Sequence, residues 1–256
     1  MNNSELKYLK ISCIFSFVIF NLIALKSQVL ADNLTKLNQP FLSLSLRQKG
    51  SGFEDDGRSG DRDGGGSRGN CPAIKPSLTA LIPISNFGTT LAERPTFWFY
   101  VPYSNQQVTS GEFVLQNRER NDIIRIPFKL PNQPGYVSFT IPPTAPSLEV
   151  NKDYRWYFNV YCDPKKTSSP MTVEGWIQRI PITPEIQSQI NANQSQKYVV
   201  YERNGIWFDA IADLAELRMK NPNNSTLSDA WNRLFQAKGV KLELPNQVPV
   251  GSVIID

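Results

Sequence analysis

Hydrophobic and polar positions alternate most strictly over residues 153–163, which read DYRWYFNVYCD. Tyr154, Trp156, Phe158, Val160 and Cys162 fall on one parity; Arg155, Tyr157, Asn159, Tyr161 and Asp163 fall on the other. A two-residue period marks a strand with one buried face. At roughly 3.3 Å per residue the run spans roughly 35 Å, a length suited to the middle of a sheet. Six shorter runs repeat the pattern: 78–82 (LTALI), 96–101 (TFWFYV), 112–116 (EFVLQ), 124–130 (IRIPFKL), 136–141 (YVSFTI) and 172–180 (TVEGWIQRI). Pro127, on the outward parity of its run, predicts an edge strand or a bulge. Turn-forming stretches at 102–105, 131–135, 142–144 and 163–170 separate the runs. Seven short strands at this spacing predict an antiparallel, immunoglobulin-like β-sandwich over residues 71–182.

The period then changes. Thr183 followed by Pro184 predicts a helix start. Residues 197–201 (KYVVY) fit a short strand or a helix equally well. Over residues 205–220, Trp207, Ile211, Leu214 and Leu217 share one helical face, with Asp209, Asp213, Glu216 and Lys220 opposite. Asn221-Pro222 ends that helix. Thr226 and Asp229 form a capping box for the next, whose apolar stripe is Leu227, Trp231, Leu234 and Phe235 and whose end is Gly239. Two such helices cannot bury their stripes alone, so residues 183–256 are expected to pack on the sandwich.

Upstream of the sandwich the chain reads differently. Residues 1–31 carry a basic flank (Lys7, Lys10), an apolar run over 11–25, and Val29 and Ala31 at the small-residue positions before a cut. This is a signal-peptide pattern, with an uncleaved anchor as the competing reading. The run is short of the roughly 20 apolar residues that span a bilayer, and no later segment is long and apolar enough either. Residues 32–70 read as a disordered linker, since the part from 47 onward holds eight of the fifteen glycines among mixed charges. Calcium binding there has only Asp61-Arg62-Asp63-Gly64 in its favour, with no closing acid.

Composition narrows the chemistry. Histidine is absent, which removes the commonest general base and transition-metal ligand. The formal charge is +4; without the three cations and one acid of residues 1–31 it falls to +2, so nucleic acid is not an expected partner. Cys13 leaves with the signal. Cys71 and Cys162 remain, and in an exported chain they read as one disulfide, the alternative being two buried thiols. Nucleophile elbows and phosphate loops are missing, and no cofactor or metal is expected. Glu149, Asp153, Asp163 and Glu174 cluster on two neighbouring runs and supply the carboxylates that a glycosidase would need. Trp98, Tyr100, Tyr157 and Tyr161 lie on the parity opposite the core. They are the candidate binding residues unless the helical tail covers them.

The segments RGNCPA (68–73), PTFWFYVPY (95–103), GEFVLQ (111–116), PPTAPSLE (142–149), YRWYFNVYCD (154–163), VEGWIQR (173–179) and IWFDAIADLAELR (206–218) together resemble the cyanobacterial family called domain of unknown function 928. The resemblance runs from about Cys71 to the end of the chain. It implies an exported protein and carries over no activity, catalytic residue or cofactor. Two functions follow as expectations. The first is an exported envelope or secreted protein, in the periplasm or beyond, with a non-enzymatic binding or structural role towards a protein or carbohydrate of the envelope. The second is an extracellular carbohydrate-active hydrolase working through paired carboxylates.

Overall fold

A computed structural model describes residues 53, 58, 60–64, 71–108, 110–163 and 169–255. The chain divides into two units, Met1–Gly50 and Ser51–Asp256, and every described residue belongs to the second. The expected signal segment and most of the expected linker lie outside the described residues.

Among the described residues, nine strands form two sheets. β1 (Thr79–Ala80), β3 (Thr96–Val101), β6 (Gly135–Thr140) and β9 (Gly251–Ser252) make the first, in that order. The second runs β2 (Phe87–Thr90), β8 (Met171–Arg179), β7 (Asp153–Tyr161), β4 (Ser110–Gln116) and β5 (Asp122–Phe128). The strand expected at the sheet centre, β7, is the middle one of five. It buries Tyr154, Trp156, Phe158 and Val160, as its period predicts. β5 is an edge strand and carries Pro127.

The sheets face each other across an aromatic core. Phe99 stacks on Phe158 at 3.9 Å and Phe113 on Phe139 at 4.1 Å, each pair joining one sheet to the other. Phe97 meets Trp156 at 5.6 Å. Gly175 makes this packing fit, since a Cβ there would stand 2.6 Å from the Trp156 indole.

Both sheets are mixed, which corrects the expectation of purely antiparallel pairing. β2 runs parallel to β8, and β9 parallel to β6. Both parallel strands escape a pattern search. FGTT has a single bulky apolar residue, and GS has none. They are held by backbone bonds, among them Trp176 N to Asn86 O (2.8 Å) and Val250 N to Tyr136 O (2.8 Å). The immunoglobulin likeness is therefore not carried beyond two packed sheets.

The described part of the expected linker is Phe53, Arg58 and residues 60–64: Phe53 packs edge-on against Trp207 at 4.7 Å, and Arg58 with residues 60–64 lies against the fold as a strap. Glu174 N donates to Asp61 O (2.9 Å) on the second sheet, and Ala80 N to Arg62 O (2.7 Å) on the first. The Arg62 guanidinium donates to Val240 O (2.6 Å) and Lys241 O (2.8 Å), tying the strap to the far end of the chain. The glycines hid this segment. Apart from the lone Phe53, its described contacts are hydrogen bonds and arginine side chains, which leave no apolar period. Cys71 and Cys162 are bonded, with their Cα atoms 5.1 Å apart, so the disulfide reading holds over the thiol alternative.

Four helices follow: α1 (Pro184–Ala192), α2 (Lys197–Arg203), α3 (Trp207–Lys220) and α4 (Ser225–Phe235). The Thr183 side chain caps α1 through Ile186 N (3.3 Å). The ambiguous KYVVY run is helical, and its second residue donates Tyr198 N to the Asp213 carboxylate (2.8 Å). The cap of α4 is Asn224, whose side chain accepts from Leu227 N (3.2 Å), in place of the expected Thr226. The stripes dock on the sandwich. Trp231 and Phe235 pack on Tyr136 of β6 at 5.2 and 5.9 Å. Phe208 reaches Phe97 at 5.1 Å, and Trp207 Nε1 donates to Leu81 O (2.7 Å). Gly88 allows α3 this close, since a Cβ there would meet the Phe208 ring at 2.8 Å.

Candidate functional site

Helix docking divides the four candidate aromatics. Trp98 and Tyr100 sit on the outer face of the four-stranded sheet, where they are 3% and 9% exposed. Tyr100 packs on Tyr136, which in turn carries the α4 aromatics. These two residues are part of the core and not of a site. Tyr157 and Tyr161 project from β7 on the outer face of the five-stranded sheet, and both are half-buried. The helices lie elsewhere, on β2, β3 and β6.

Strand register brings further residues to the two tyrosines. Phe87, Trp176 and Arg155 stand side by side on β2, β8 and β7, and Tyr157 is paired with Glu174 one row on. Arg58 reaches across from the strap. Its guanidinium lies 4.1 Å from the Phe87 ring centre and 5.5 Å from that of Trp176, and it ends 2.9 Å from the Asp153 carboxylate. The Arg155 guanidinium is 5.7 Å from Trp176 and 5.1 Å from Tyr157. Rings and guanidinium groups thus alternate: Phe87, Arg58, Trp176, Arg155, Tyr157. Cation–π contacts of this kind contribute roughly 0.5–2 kcal/mol each, more where water is excluded. Burial pushes the Tyr157 and Tyr161 hydroxyls above their ordinary pKa, with the Glu112 carboxylate adding to the shift at Tyr161.

Charges on this face are matched. Arg155 pairs with Glu174 at 2.7 Å, and Arg125 bridges Glu112 (2.5 Å) and Asp122 (2.7 Å). A hydrogen bond from Gln116, then the Arg125 guanidinium, holds the Asp122 carboxyl below its usual range. Asp153 takes Arg58, Arg118 (3.5 Å) and the Gln178 amide (2.9 Å). Phe87, Trp176, Arg58 and Arg155 were not singled out from the sequence. Trp176 and Arg155 alternate outward on long runs and were legible there. Phe87 and Arg58 lie on segments without a period.

Asp153 and Glu174, the two candidate acids on the sheet face, do not stand side by side as a hydrolase pair would. Asp153 is paired with Gln178 and Glu174 with Tyr157, so they stand four positions apart along the sheet. That is roughly 13 Å, beyond the roughly 5–9.5 Å of glycosidase carboxylates. Glu149 engages Lys152 at 2.8 Å, and Asp163 follows the end of β7. Among the described residues, no group of three or more Asp, Glu, Cys or His side chains is placed to hold a metal. None of the described helices is long and apolar enough to cross a membrane.

Concavities flank the sandwich among the described residues. A cleft of about 830 Å³ lies beside the disulfide, with Tyr103, Met171, Leu242, Lys75 and Lys241 in its wall. One of about 480 Å³ lies at the Asp153 end of the face, between Arg118 and Tyr154.

A family model described as Domain of Unknown Function (DUF928) matches residues 63–249. The chain belongs to the DUF928 family. No curated protein matches it. The DUF928 match takes in both sheets except β9, together with the four described helices, and it includes Phe87, Tyr157, Tyr161 and Trp176. Arg58, which crosses two of those rings, lies upstream of the match.

Proposed function

We propose that this DUF928 protein is exported and acts without catalysis, by binding a protein partner through the outer face of its five-stranded sheet. The observation that carries this reading is the row of half-buried Phe87, Trp176 and Tyr157 interleaved with Arg58 and Arg155. Trp, Tyr and Arg are the residues enriched at the energetic centres of protein interfaces. The guanidinium groups favour a protein over a sugar. Sugar stacking needs open ring faces, and three of these rings already carry a guanidinium. Export is supported by the signal-type segment at residues 1–31 and by the disulfide, which persists in oxidising compartments. The hydrolase reading has less in its favour, because the acids on this face are occupied by cations.

The test places a photo-crosslinking phenylalanine at Tyr161, or at Met219 on the exposed side of α3 as the control. Protein adducts are expected from position 161 and not from 219. Retention on a polysaccharide column that is lost in Trp176→Ala, with no protein adduct at 161, would replace the protein reading with a carbohydrate one. Export is checked by intact mass, which should place Asp32 at the N-terminus of the secreted or periplasmic protein.

A further inference from the structure

We infer that the partner of this face is a second copy of the chain, docked sheet to sheet. The inference rests on the binding role proposed above and names its partner.

The first argument is charge. Glu112, Asp122, Asp153 and Glu174 are matched on the same face by Arg58, Arg118, Arg125 and Arg155, and each acid lies within 3.5 Å of a guanidinium. A surface neutralised within itself needs no partner of opposite sign and does not repel its own copy. The ion pairs among these eight residues are already made, so docking desolvates matched pairs there. The formal charge without residues 1–31, +2, is also too small to hold copies apart.

Shape is the second argument. A five-stranded sheet twists, and the surface that best follows a twisted sheet is another sheet of the same hand, crossed at about 30°. A second copy supplies one. Two-fold docking also sets each ring row against the other copy, as a self-complementary interface requires.

Size is the third. Five strands about 4.8 Å apart, four of them seven to nine residues long and β2 only four, present a face of about 500–600 Å². Two such faces bury about 1,000–1,200 Å², at the lower edge of stable interfaces. The expected dimer is therefore reversible, with a dissociation constant on the order of micromolar.

Sedimentation velocity of the mature protein over a range of concentrations tests this. A monomer–dimer equilibrium is expected, weakened at least tenfold by Tyr157→Glu and by Trp176→Ala and unchanged by Met219→Glu. A Thr172→Cys protein, with its new thiol on the face, should cross-link to a covalent dimer; this readout stands even if the other variants fold poorly. A protein that stays monomeric at high concentration overturns the inference, as does a dimer broken by Met219→Glu alone. If the monomer still forms adducts with a different protein from position 161, the binding role survives and only the self-partner fails. If it forms none, both fail.

Discussion

Trp231→Ala probes whether the helical tail is a structural part of the sandwich. The indole is fully buried. It lies 5.2 Å from Tyr136 on β6, 4.8 Å from Phe235, and 4.9 Å from the buried Arg218 guanidinium. Truncating a buried Trp costs about 3–5 kcal/mol through lost transfer energy and the cavity left behind. A second cost falls on Arg218. Its Nη2 donates to Asn246 (2.8 Å), and its remaining described contact of this kind is the indole face. Burial already lowers the Arg218 pKa, so removing the ring exposes a desolvation penalty that the indole had offset. The expected total is about 4–6 kcal/mol, most of the stability of an ordinary domain. Urea denaturation followed by circular dichroism measures it, with an unchanged m-value showing that the same unit unfolds. Arg218→Met in the Trp231→Ala background should recover about 1 kcal/mol or more, since the stranded cation is gone. A loss below about 1.5 kcal/mol would refute the reasoning and make the tail an appendage.

Three further outcomes are expected. Asp209 accepts from Thr90 Oγ1 (2.7 Å) and Leu91 N (3.1 Å), and burial lifts its pKa to about 6. A carboxyl raised in the native state binds protons more tightly there than when unfolded. It therefore removes stability as pH rises from about 4 to about 6, and the Asp209→Asn protein should gain about 1–3 kcal/mol on wild type over that interval in paired urea titrations; parallel pH profiles would contradict this. Reducing Cys71–Cys162, which closes a separation of 91 residues, should cost on the order of 4 kcal/mol in a thermal melt with and without reductant. Arg62→Ala leaves the Val240 and Lys241 carbonyls without their charged donor and should cost about 2–3 kcal/mol, with faster amide exchange in the strap and in the C-terminal segment.

Side-chain period revealed the parts of the fold that own a buried face. β7 and β8 were legible because each alternates over nine residues. The α3 and α4 stripes were legible because Trp207, Ile211, Leu214, Trp231 and Phe235 repeat at helical spacing. Parity also said that Trp98, Tyr100, Tyr157 and Tyr161 point away from the inter-sheet core. It did not say which outer face the helices would choose, because that depends on tertiary docking at Tyr136 and Phe97. So two of the four are buried and two are not. β2, β9 and the strap were invisible for a different reason: they are held by main-chain hydrogen bonds, which any sequence can make, and the strap also by two arginines that form no period. The α4 cap was misplaced by two residues because Asn224 and Thr226 are both good capping residues and the loop geometry decides between them.

The Arg62 clamp also orders events in time. A chain that emerges N-terminus first presents Arg62 early, yet the Val240 and Lys241 carbonyls that receive it come 178 and 179 residues later. β6 likewise waits for β9, the last strand. Folding therefore cannot proceed vectorially. The sandwich stays unlatched, its strap unseated and one sheet edge bare, until almost the whole polypeptide is free. Contacts this distant in sequence make assembly slow, on the order of milliseconds to seconds. If the proposed export holds and the chain is threaded through a pore before it folds, lateness of this kind is built into the topology.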